Sequence, residues 1–303
     1  MKSSNIGGQA VMEGVMMRNA DKYAVAVRKT DGEIVVKTEE YKGIVQNKKI
    51  RSLPIIRGVF SFIDSMVLGM STLTYSASFF MDEEEEEKDE KKESVMMGLT
   101  IACSVVMAVA IFMILPYFLS QLFRKFTDPT TLITLLEGAV RLVIFFGYIL
   151  LISRMKDIQR VFMYHGAEHK CINCIEHGME LNVENVLKSS RLHKRCGTSF
   201  LFIVMIVSII FFLFIRIESP IWRVVFRLLL IPVIAGVSFE FIRLAGKSEN
   251  KLVIFLSKPG MMLQKLTTRE PDASMAEVAI ASVEAVFDWR AYLKENFGWQ
   301  EKV

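Results

Sequence analysis

Apolar and polar residues are separated into long blocks along the chain. Four stretches stay apolar over about the 20 residues that a helix needs to cross a bilayer. They cover residues 95–119, 132–153, 199–215 and 221–244. The pattern therefore predicts a mainly α-helical, polytopic membrane protein with four transmembrane helices, two within residues 95–153 and two within residues 199–245.

A fifth apolar stretch, residues 53–81, has a different pattern. Its large side chains recur at helical spacing and form one stripe, which consists of Val59, Ile63, Met66, Val67, Met70 and Leu73. Small residues such as Gly58, Ser65 and Gly69 occupy the other face. An apolar stripe opposite a polar face is typical of a helix that lies on a membrane. We therefore expect an amphipathic or membrane-associated helix here rather than a fifth span.

The remaining segments predict a small α+β part. Residues 1–52 carry β-type patterns, and Asp31-Gly32 separates two of them, which is typical of a hairpin. Residues 82–94 are an acidic run that predicts a solvated linker. Residues 246–303 contain helical patterns that predict C-terminal helices.

Composition and charge narrow the classes of protein. Hydrophobic residues make up 52% of the 303 residues and charged residues 23%, which excludes a disordered chain. The net charge is only +4 and the basic residues are spread out, whereas nucleic-acid binding needs a clustered basic face. The expected partner is therefore the lipid bilayer, with homo-oligomers allowed and nucleic acid excluded. Lys and Arg are frequent before the first predicted span and within residues 154–198. The positive-inside rule then predicts a multi-pass protein of the cell membrane with both termini and residues 154–198 in the cytosol.

Histidine and cysteine are concentrated in that cytosolic segment. All four histidines and three of the four cysteines lie within residues 165–196. His165, Glu168 and His169 fall on a predicted helix over residues 157–177, which Gly178 ends. Two imidazoles four residues apart share one helix face and can bind one ion. The carboxylate of Glu168 could then act as general base for a water that the ion activates, as in the inverted zinc-protease motif.

Two further donors precede the third predicted span. His193 and Cys196 are the candidate third and fourth ligands. Cys196 also lies close to a helix start, where the partial positive charge favours thiolate. Nitrogen and sulfur donors indicate a divalent metal cofactor, with zinc favoured and iron as another candidate.

Two alternatives to this ligand set stay open. Cys171 and Cys174 could join His193 and Cys196 in a structural zinc site. The first two cysteines fall on the opposite side of the predicted helix from His165, so the two sets cannot share one ion unless the helix breaks. In the second alternative no metal binds, and the histidines are polar contacts at a membrane edge.

Two other groups of polar residues are unusual. Within the predicted spans, Glu137 and Arg141 are four residues apart, and Glu240 and Arg243 are three apart. Charges at membrane depth are costly, so these residues either pair with one another or serve a function. Residues 7–18 are rich in glycine. They indicate either a backbone that passes close to another group or a turn-rich start to the β unit, and they lack the Gly-Lys-Ser/Thr of a phosphate-binding loop.

Several motifs resemble a known family. They are GGQAVMEGVMMR (residues 7–18), YHGAEHKCINC (164–174), RLHKRCGTSFL (191–201), IPVIAGVSFEFIRLAGK (231–247) and LTTREPD (266–272). Together they resemble the YqhQ-like bacterial membrane proteins, a family of unknown function described as predicted metal-dependent enzymes. The resemblance implies an integral membrane protein with a site at His165, Glu168, His169, His193 and Cys196. It also implies that Gln9, Glu13 and Arg18 bind substrate. Positions 171 and 174 are often not cysteine in that family, which weakens the structural-zinc alternative.

Three functions follow from these patterns. The leading hypothesis is a metal-dependent hydrolase at the cytosolic face, with His165, His169 and either His193 or Cys196 as ligands. The second is a membrane scaffold or assembly factor with a structural metal site. The third is a transporter, suggested by the charged residues in the spans, which would require oligomerisation to form a pathway.

Overall fold

The computed structural model describes residues 2–80, 90–126, 129–215, 217, 219–247 and 250–300. These residues form two compact units. The first unit contains residues 1–80, 153–203 and 235–303, and the second contains residues 81–152 and 204–234. Most of the predicted acidic linker, residues 82–89, lies outside the described residues, and residues 90–94 begin a helix.

The first unit begins with a four-stranded antiparallel sheet. Its strands follow chain order as β1 (Gly7–Val11), β2 (Gly14–Asn19), β3 (Lys22–Arg28) and β4 (Ile34–Glu40). The hairpin predicted at Asp31-Gly32 joins β3 to β4, and Gly32 has a φ of 90°, a conformation that suits glycine. The glycine-rich residues 7–18 form a second hairpin, β1–β2. The β-rich start of the chain is therefore confirmed.

Helices make up most of the rest of the chain. The described α-helices are α1 (Lys48–Ser52), α2 (Ile56–Ser78), α3 (Glu90–Val109), α4 (Leu115–Gln121), α5 (Thr130–Ile152), α6 (Lys156–Glu176), α7 (Val183–Lys188), α8 (Gly197–Phe214), α9 (Pro220–Lys247), α10 (Lys251–Thr267), α11 (Ala273–Glu284) and α12 (Trp289–Phe297). A π-helical segment joins α3 to α4, and a 3-10 turn follows α4. The predicted histidine-bearing helix is α6, and Gly178 follows its end with a φ of 79°.

Both faces of the sheet are covered within the first unit. On one face, side chains of β2 and β3 pack against α6 and α11 and form the main core with residues such as Met17, Ala167 and Val278. On the other face, Val25 and its neighbours pack against Leu68 of α2. The sheet, α6 and α11 are therefore layers of one folded body, although 115 residues separate the sheet from α6 in the chain and 96 separate α6 from α11.

Among the residues that the structure describes, five helices, not four, are long and apolar enough to cross a membrane. They cover Ile56–Ser78, Gly98–Lys125, Thr130–Ile152, Gly197–Phe214 and Ile221–Gly246. The last four match the predicted spans, and the first corresponds to α2. The expected count of four such helices is therefore wrong, because α2 is also long and apolar enough by length and composition.

The packing of α2 explains the error. Gly58 and Gly69 face the protein rather than solvent, whereas Ser65 is exposed. A Cβ on Gly58 would lie 2.9 Å from Cα of Gly236, and a Cβ on Gly69 would lie 2.6 Å from Oε1 of Gln9. Small residues allow such close approach, as they do between membrane helices. The apolar stripe points outward, and Met66 is 52% exposed. A helix with this orientation buries its small side and exposes its apolar side, which is the reverse of a helix on a soluble core.

Candidate metal centre

Helix α6 passes very close to the segment that follows α10. A Cβ on Gly166 would lie only 2.0 Å from the backbone oxygen of Arg269, so this crossing requires glycine. On either side of Gly166 in the chain, His165 and His169 point from one face of α6, and their ring centroids are 4.4 Å apart. The crossing brings the carbonyl oxygen of Thr267 within 2.9 Å of His165 Nδ1.

Both imidazoles are held through their Nδ1 atoms. His165 Nδ1 pairs with the Thr267 carbonyl, and His169 Nδ1 lies 2.6 Å from the carbonyl oxygen of Arg191. A carbonyl only accepts hydrogen bonds, so Nδ1 of each ring is the donor. In the neutral rings the lone pair is then on Nε2. Backbone partners of this kind orient metal-binding histidines and fix their tautomer.

Cys196 contributes a sulfur at the same place. Its Sγ lies 3.3 Å from His165 Nε2 and accepts a hydrogen bond from the backbone N–H of Thr198 at the start of α8. One ligand atom from each of His165, His169 and Cys196 lies within 4.8 Å of the other two. Among the described residues, these three can hold a metal ion. Two imidazole nitrogens and one thiolate fit zinc, and they also fit other divalent transition metals.

The charges at this centre depend on one another. Burial acts to raise the pKa of the Cys196 thiol, but the imidazoles of His165 and His169 outweigh it and hold that pKa well below the usual value. Burial acts to lower the pKa of His165, yet the Cys196 thiolate outweighs it and raises the pKa to about 9. Without an ion the pair is therefore a thiolate beside an imidazolium. Metal binding must displace the proton from the ring.

Glu168 lies beside the three ligand atoms. Its Oε2 is 3.8 Å from Nε2 of both His165 and His169, and its side chain is only 6% exposed. Strand β1 covers it closely, since a Cβ on Gly8 would lie 2.8 Å from Glu168 Cγ. The glycine-rich backbone therefore does pass close to another group, which is the side chain of Glu168.

The centre borders a cavity of about 680 Å³ in the first unit. His165, Glu168, His169 and Cys196 all contribute to its wall. Much of the remaining wall comes from α2, α8 and α9. The ligand atoms are thus buried from bulk solvent on one side and next to open space on the other.

His193 lies beside the centre and lines the same cavity, with its ring centroid 5.7 Å from that of His169, but its side chain has a different partner. Its Nε2 is 3.4 Å from Oε2 of Glu176, which also pairs with Arg195 and accepts a hydrogen bond from the backbone N–H of Ser4. Burial acts to raise the pKa of Glu176, but His193 and Arg195 outweigh it and lower the pKa to about 2. Gln264 accepts from the His193 backbone N–H and donates to its carbonyl. His193 therefore braces the segment that carries Cys196, and its ring is not grouped with the three ligand atoms.

Cys171 and Cys174 are both buried in the main core of the first unit. Burial raises the pKa of the Cys171 thiol well above its usual value and that of Cys174 to about 12. The thiol of Cys174 donates to the carbonyl oxygen of Glu180. Among the described residues, the structure does not bring these two sulfurs together with His193 and Cys196.

The three residues expected to bind substrate are placed differently from one another. Gln9 lines the cavity and donates from Nε2 to the carbonyl oxygen of Gly69. Glu13 pairs with Arg160 at the β1–β2 turn. Arg18 donates to the carbonyl oxygen of Ala20. Of the three, Gln9 is the one that the structure places in the cavity wall.

Comparison with known proteins identifies the family. The model of the family described as "Protein of unknown function (DUF1385)" matches residues 53–289. The "Uncharacterized protein YqhQ" of Bacillus subtilis (strain 168) is 36% identical over 301 residues, which cover 96% of this chain and 94% of that protein. The chain belongs to the DUF1385 family. No solved structure matches it. The matched range includes α2, all three ligand residues of the candidate centre and α11.

The charged residues within this DUF1385 protein's membrane-length helices pair as their spacing predicts and gain partners from other helices. In the second unit, Arg141 Nη2 lies 2.9 Å from Glu137 Oε1, and Arg227 donates to both oxygens of the same carboxylate. In the first unit, Glu240 pairs with Arg57 of α2, and Arg243 lies 3.8 Å away from it. The sequence pattern missed Arg57 and Arg227 as partners because they lie on other helices.

Sequence patterns also missed the groups that orient the histidines. The acceptors are backbone carbonyls of Thr267 and Arg191, and any residue type provides a carbonyl. The glycine at position 166 was the available signal, since it marks the close approach of α6 to the segment that contains Thr267.

Proposed function

We propose that this protein is a metal-dependent hydrolase that acts at the membrane surface. One observation carries the proposal: His165, His169 and Cys196 bring their ligand atoms together at the wall of a cavity. Structural zinc sites are closed by four protein ligands, whereas catalytic sites have three and keep an open position. Three clustered donors beside open space fit the catalytic type better than the scaffold alternative.

The residues of the site have separate roles in this proposal. His165, His169 and Cys196 hold a divalent ion, with zinc preferred for their nitrogen and sulfur donors. When bound, such an ion supplies Lewis-acid chemistry and makes water a better nucleophile near neutral pH. Glu168 accepts the proton of the attacking water and returns it to the leaving group, as a general base and acid. Gln9 orients the substrate from the cavity wall.

The packing of the first unit supports a location of the sheet and the candidate site on the same side of the membrane. The sheet, α6 and α11 pack against one another, so all three lie on the same side. Three apolar helices follow the sheet before α6, namely α2, the helix over Gly98–Lys125 and α5. An even number of them must therefore cross completely.

Contacts of α2 indicate which of the three stays on that side. Asp64 accepts from the backbone N–H of Ile44, and Ser76 accepts from that of Met12, so both the middle and the end of α2 lie against the sheet region. We infer that α2 is embedded in the near leaflet and that the other four helices cross. The many Lys and Arg residues of the sheet and α6 segments support a cytosolic location for this side and for both termini.

Elemental analysis of the full-length protein in detergent tests the metal. Wild type and a Cys171→Ser/Cys174→Ser control should each contain one equivalent of a divalent transition metal. The His165→Ala/His169→Ala variant should contain none. Metal in the histidine variant, or its loss from the cysteine control, would contradict this ligand set.

Glu168→Gln tests the chemistry. The variant should retain its metal and lose activity by about 10²- to 10⁴-fold, the usual contribution of a general base. Wild type should be assayed first against lipid, peptide and phosphoester substrates. If metal-loaded wild type hydrolyses none of them, and loss of His165 impairs folding and partner binding instead, the scaffold function replaces the hydrolase.

A further inference from the structure

We propose that the cavity takes an acyl chain from the bilayer, so that the substrate is a membrane lipid whose polar linkage lies at the metal centre. The lipid is a substrate only if the protein is the hydrolase proposed above, so this part of the inference rests on the proposed function. The binding of the chain itself does not depend on hydrolysis. Three features of the cavity support an acyl chain as the ligand: its polarity, its opening and its size.

The wall of the cavity is polar at one end and apolar over most of the rest. The polar end includes His165, Glu168, His169 and Cys196. The other polar side chains of the wall are Gln9, Ser61, Ser65, His193, Arg195 and Thr198. The apolar part is formed mainly by side chains of α2, α8 and α9, and it includes Phe62, Met66, Met70, Phe200, Phe239 and Ile242. A ligand that satisfies both parts needs a polar group and a hydrocarbon segment in one molecule. An amphiphile has this chemistry.

The apolar part opens onto the outer surface of membrane-length helices. Met66 and Met70 of α2 and Leu201 of α8 line the cavity, yet they are 52%, 41% and 45% exposed. Further large apolar side chains are exposed along the same stripe of α2. A continuous apolar surface of this kind is covered by lipid rather than water in a membrane protein. A ligand that enters here therefore comes from the hydrocarbon region.

Size and solvation also favour a chain from the bilayer. The volume of about 680 Å³ falls within the range of about 300–1,000 Å³ that is typical of small-molecule pockets. Lipid tails are about as apolar as leucine side chains, so a chain that moves from the bilayer into this wall gains and loses little solvation. Selection then depends on the polar linkage, which alone can reach the metal centre.

Photolabelling in vesicles tests the site. Full-length protein is reconstituted in phosphatidylethanolamine and phosphatidylglycerol vesicles that contain a phospholipid with a diazirine in one acyl chain. After irradiation, peptide mass spectrometry maps the labelled residues. We expect adducts at Phe62, Phe200 or Phe239 within the cavity, in addition to adducts at outward positions such as Leu135 and Val143 of α5.

A matched pair of variants on α2 separates the cavity from the general lipid surface. Ser65→Trp puts a large ring into the cavity wall, whereas Val67→Trp puts the same ring on the exposed stripe outside that wall. The first variant should reduce the cavity adducts severalfold and leave those on α5 unchanged. The second should change neither. Met66→Trp is a second blocking variant in case Ser65→Trp does not fold.

The outcomes separate this inference from the proposed function. Adducts confined to outward positions, or cavity adducts that persist in both blocking variants, would overturn the lipid site. Because labelling is also run on metal-stripped protein, it does not depend on catalysis. Cavity adducts without any hydrolysis would keep the lipid site and reject the hydrolase. Hydrolysis of a water-soluble ester without cavity adducts would keep the hydrolase and reject the lipid site.

Discussion

His165 Nε2 lies 3.3 Å from Cys196 Sγ, although 31 residues separate the two in the chain. The sulfur is at the start of α8, and the ring is on α6, where the Thr267 carbonyl fixes its orientation. Each group shifts the other toward its charged form, because a thiolate stabilises a nearby imidazolium and an imidazolium stabilises a nearby thiolate. This contact makes Cys196 chemically unlike Cys171 and Cys174.

The first prediction concerns the pH dependence of Cys196 alkylation by iodoacetamide in metal-stripped protein. An ordinary thiol, with a pKa of about 8.5, loses reactivity about tenfold per pH unit below that value. The pKa of Cys196 is held well below the usual value, so its thiolate persists as pH falls. The rate should therefore change little between pH 8 and pH 6, and zinc should block the reaction. Cys103→Ser serves as the common background, since Cys103 is exposed.

His165→Asn provides the control for this effect. Removal of the imidazole should raise the pKa of Cys196 and restore a steep fall in alkylation rate toward acid pH. An equally steep fall in the wild-type background would contradict the thiolate–imidazolium pair.

The second prediction concerns Gly166→Ala. The added Cβ would lie 2.0 Å from the Arg269 carbonyl oxygen, so α6 and the segment after α10 must separate. That movement weakens the bond between His165 Nδ1 and the Thr267 carbonyl. Loss of such an orienting partner typically lowers metal affinity about 10- to 100-fold. Competitive zinc titration with a chelator measures the change. Gly147→Ala on α5 is the control, since a Cβ there meets nothing within 4 Å. Unchanged zinc affinity in Gly166→Ala would refute the orienting role of the Thr267 carbonyl.

The third prediction concerns Glu176 and stability. Its folded-state pKa of about 2 lies below that of an unfolded glutamate, so it stabilises the fold above about pH 4.5. This contribution is lost as pH falls toward 2. Glu176→Gln leaves His193 and Arg195 without their carboxylate and should cost roughly 3–5 kcal/mol at pH 7. Thermal unfolding in detergent should show the difference between the two proteins shrinking below pH 4.5. If the difference in stability between wild type and Glu176→Gln stays constant down to pH 2, the lowered pKa of Glu176 is contradicted.

The fourth prediction compares two carboxylates in membrane-length helices. Glu137 is buried and pairs with both Arg141 and Arg227, whereas Glu240 and its partner Arg57 are about one quarter exposed. Glu137→Gln leaves two buried guanidinium groups without a counter-charge and should destabilise the protein by about 3–5 kcal/mol. Glu240→Gln should cost about 1 kcal/mol or less. Unfolding in detergent measures both, and an equal cost would show that burial does not set the difference.

Local sequence patterns were sufficient for the helices and for part of the site. Helix α6, its end before Gly178 and the shared face of His165 and His169 all follow from residues within a few positions of one another. The hairpin at Asp31-Gly32 is equally local. Such features depend on backbone geometry and side-chain spacing, which a chain carries wherever it is placed.

The direction of α2 could not be read in the same way. Its apolar stripe and its small face give one periodic pattern whether the stripe meets a protein core or lipid. Only the contacts of Gly58 with Gly236 and of Gly69 with Gln9 decide that the small face is inside. Those partners come from α9 and β1, which are far away in sequence.

Residue patterns alone were enough to predict two imidazoles on one helix face, a resemblance to a known family and a short set of candidate third ligands. The choice among those candidates came from contacts between distant segments. Gln264 and Glu176 hold His193 in place, and the segment they brace brings Cys196 to the imidazoles while Cys171 points into the core. The physical reason is that helical periodicity fixes relations within one turn. Which sulfur reaches which ring depends on hydrogen bonds and packing between segments that meet only when the chain folds.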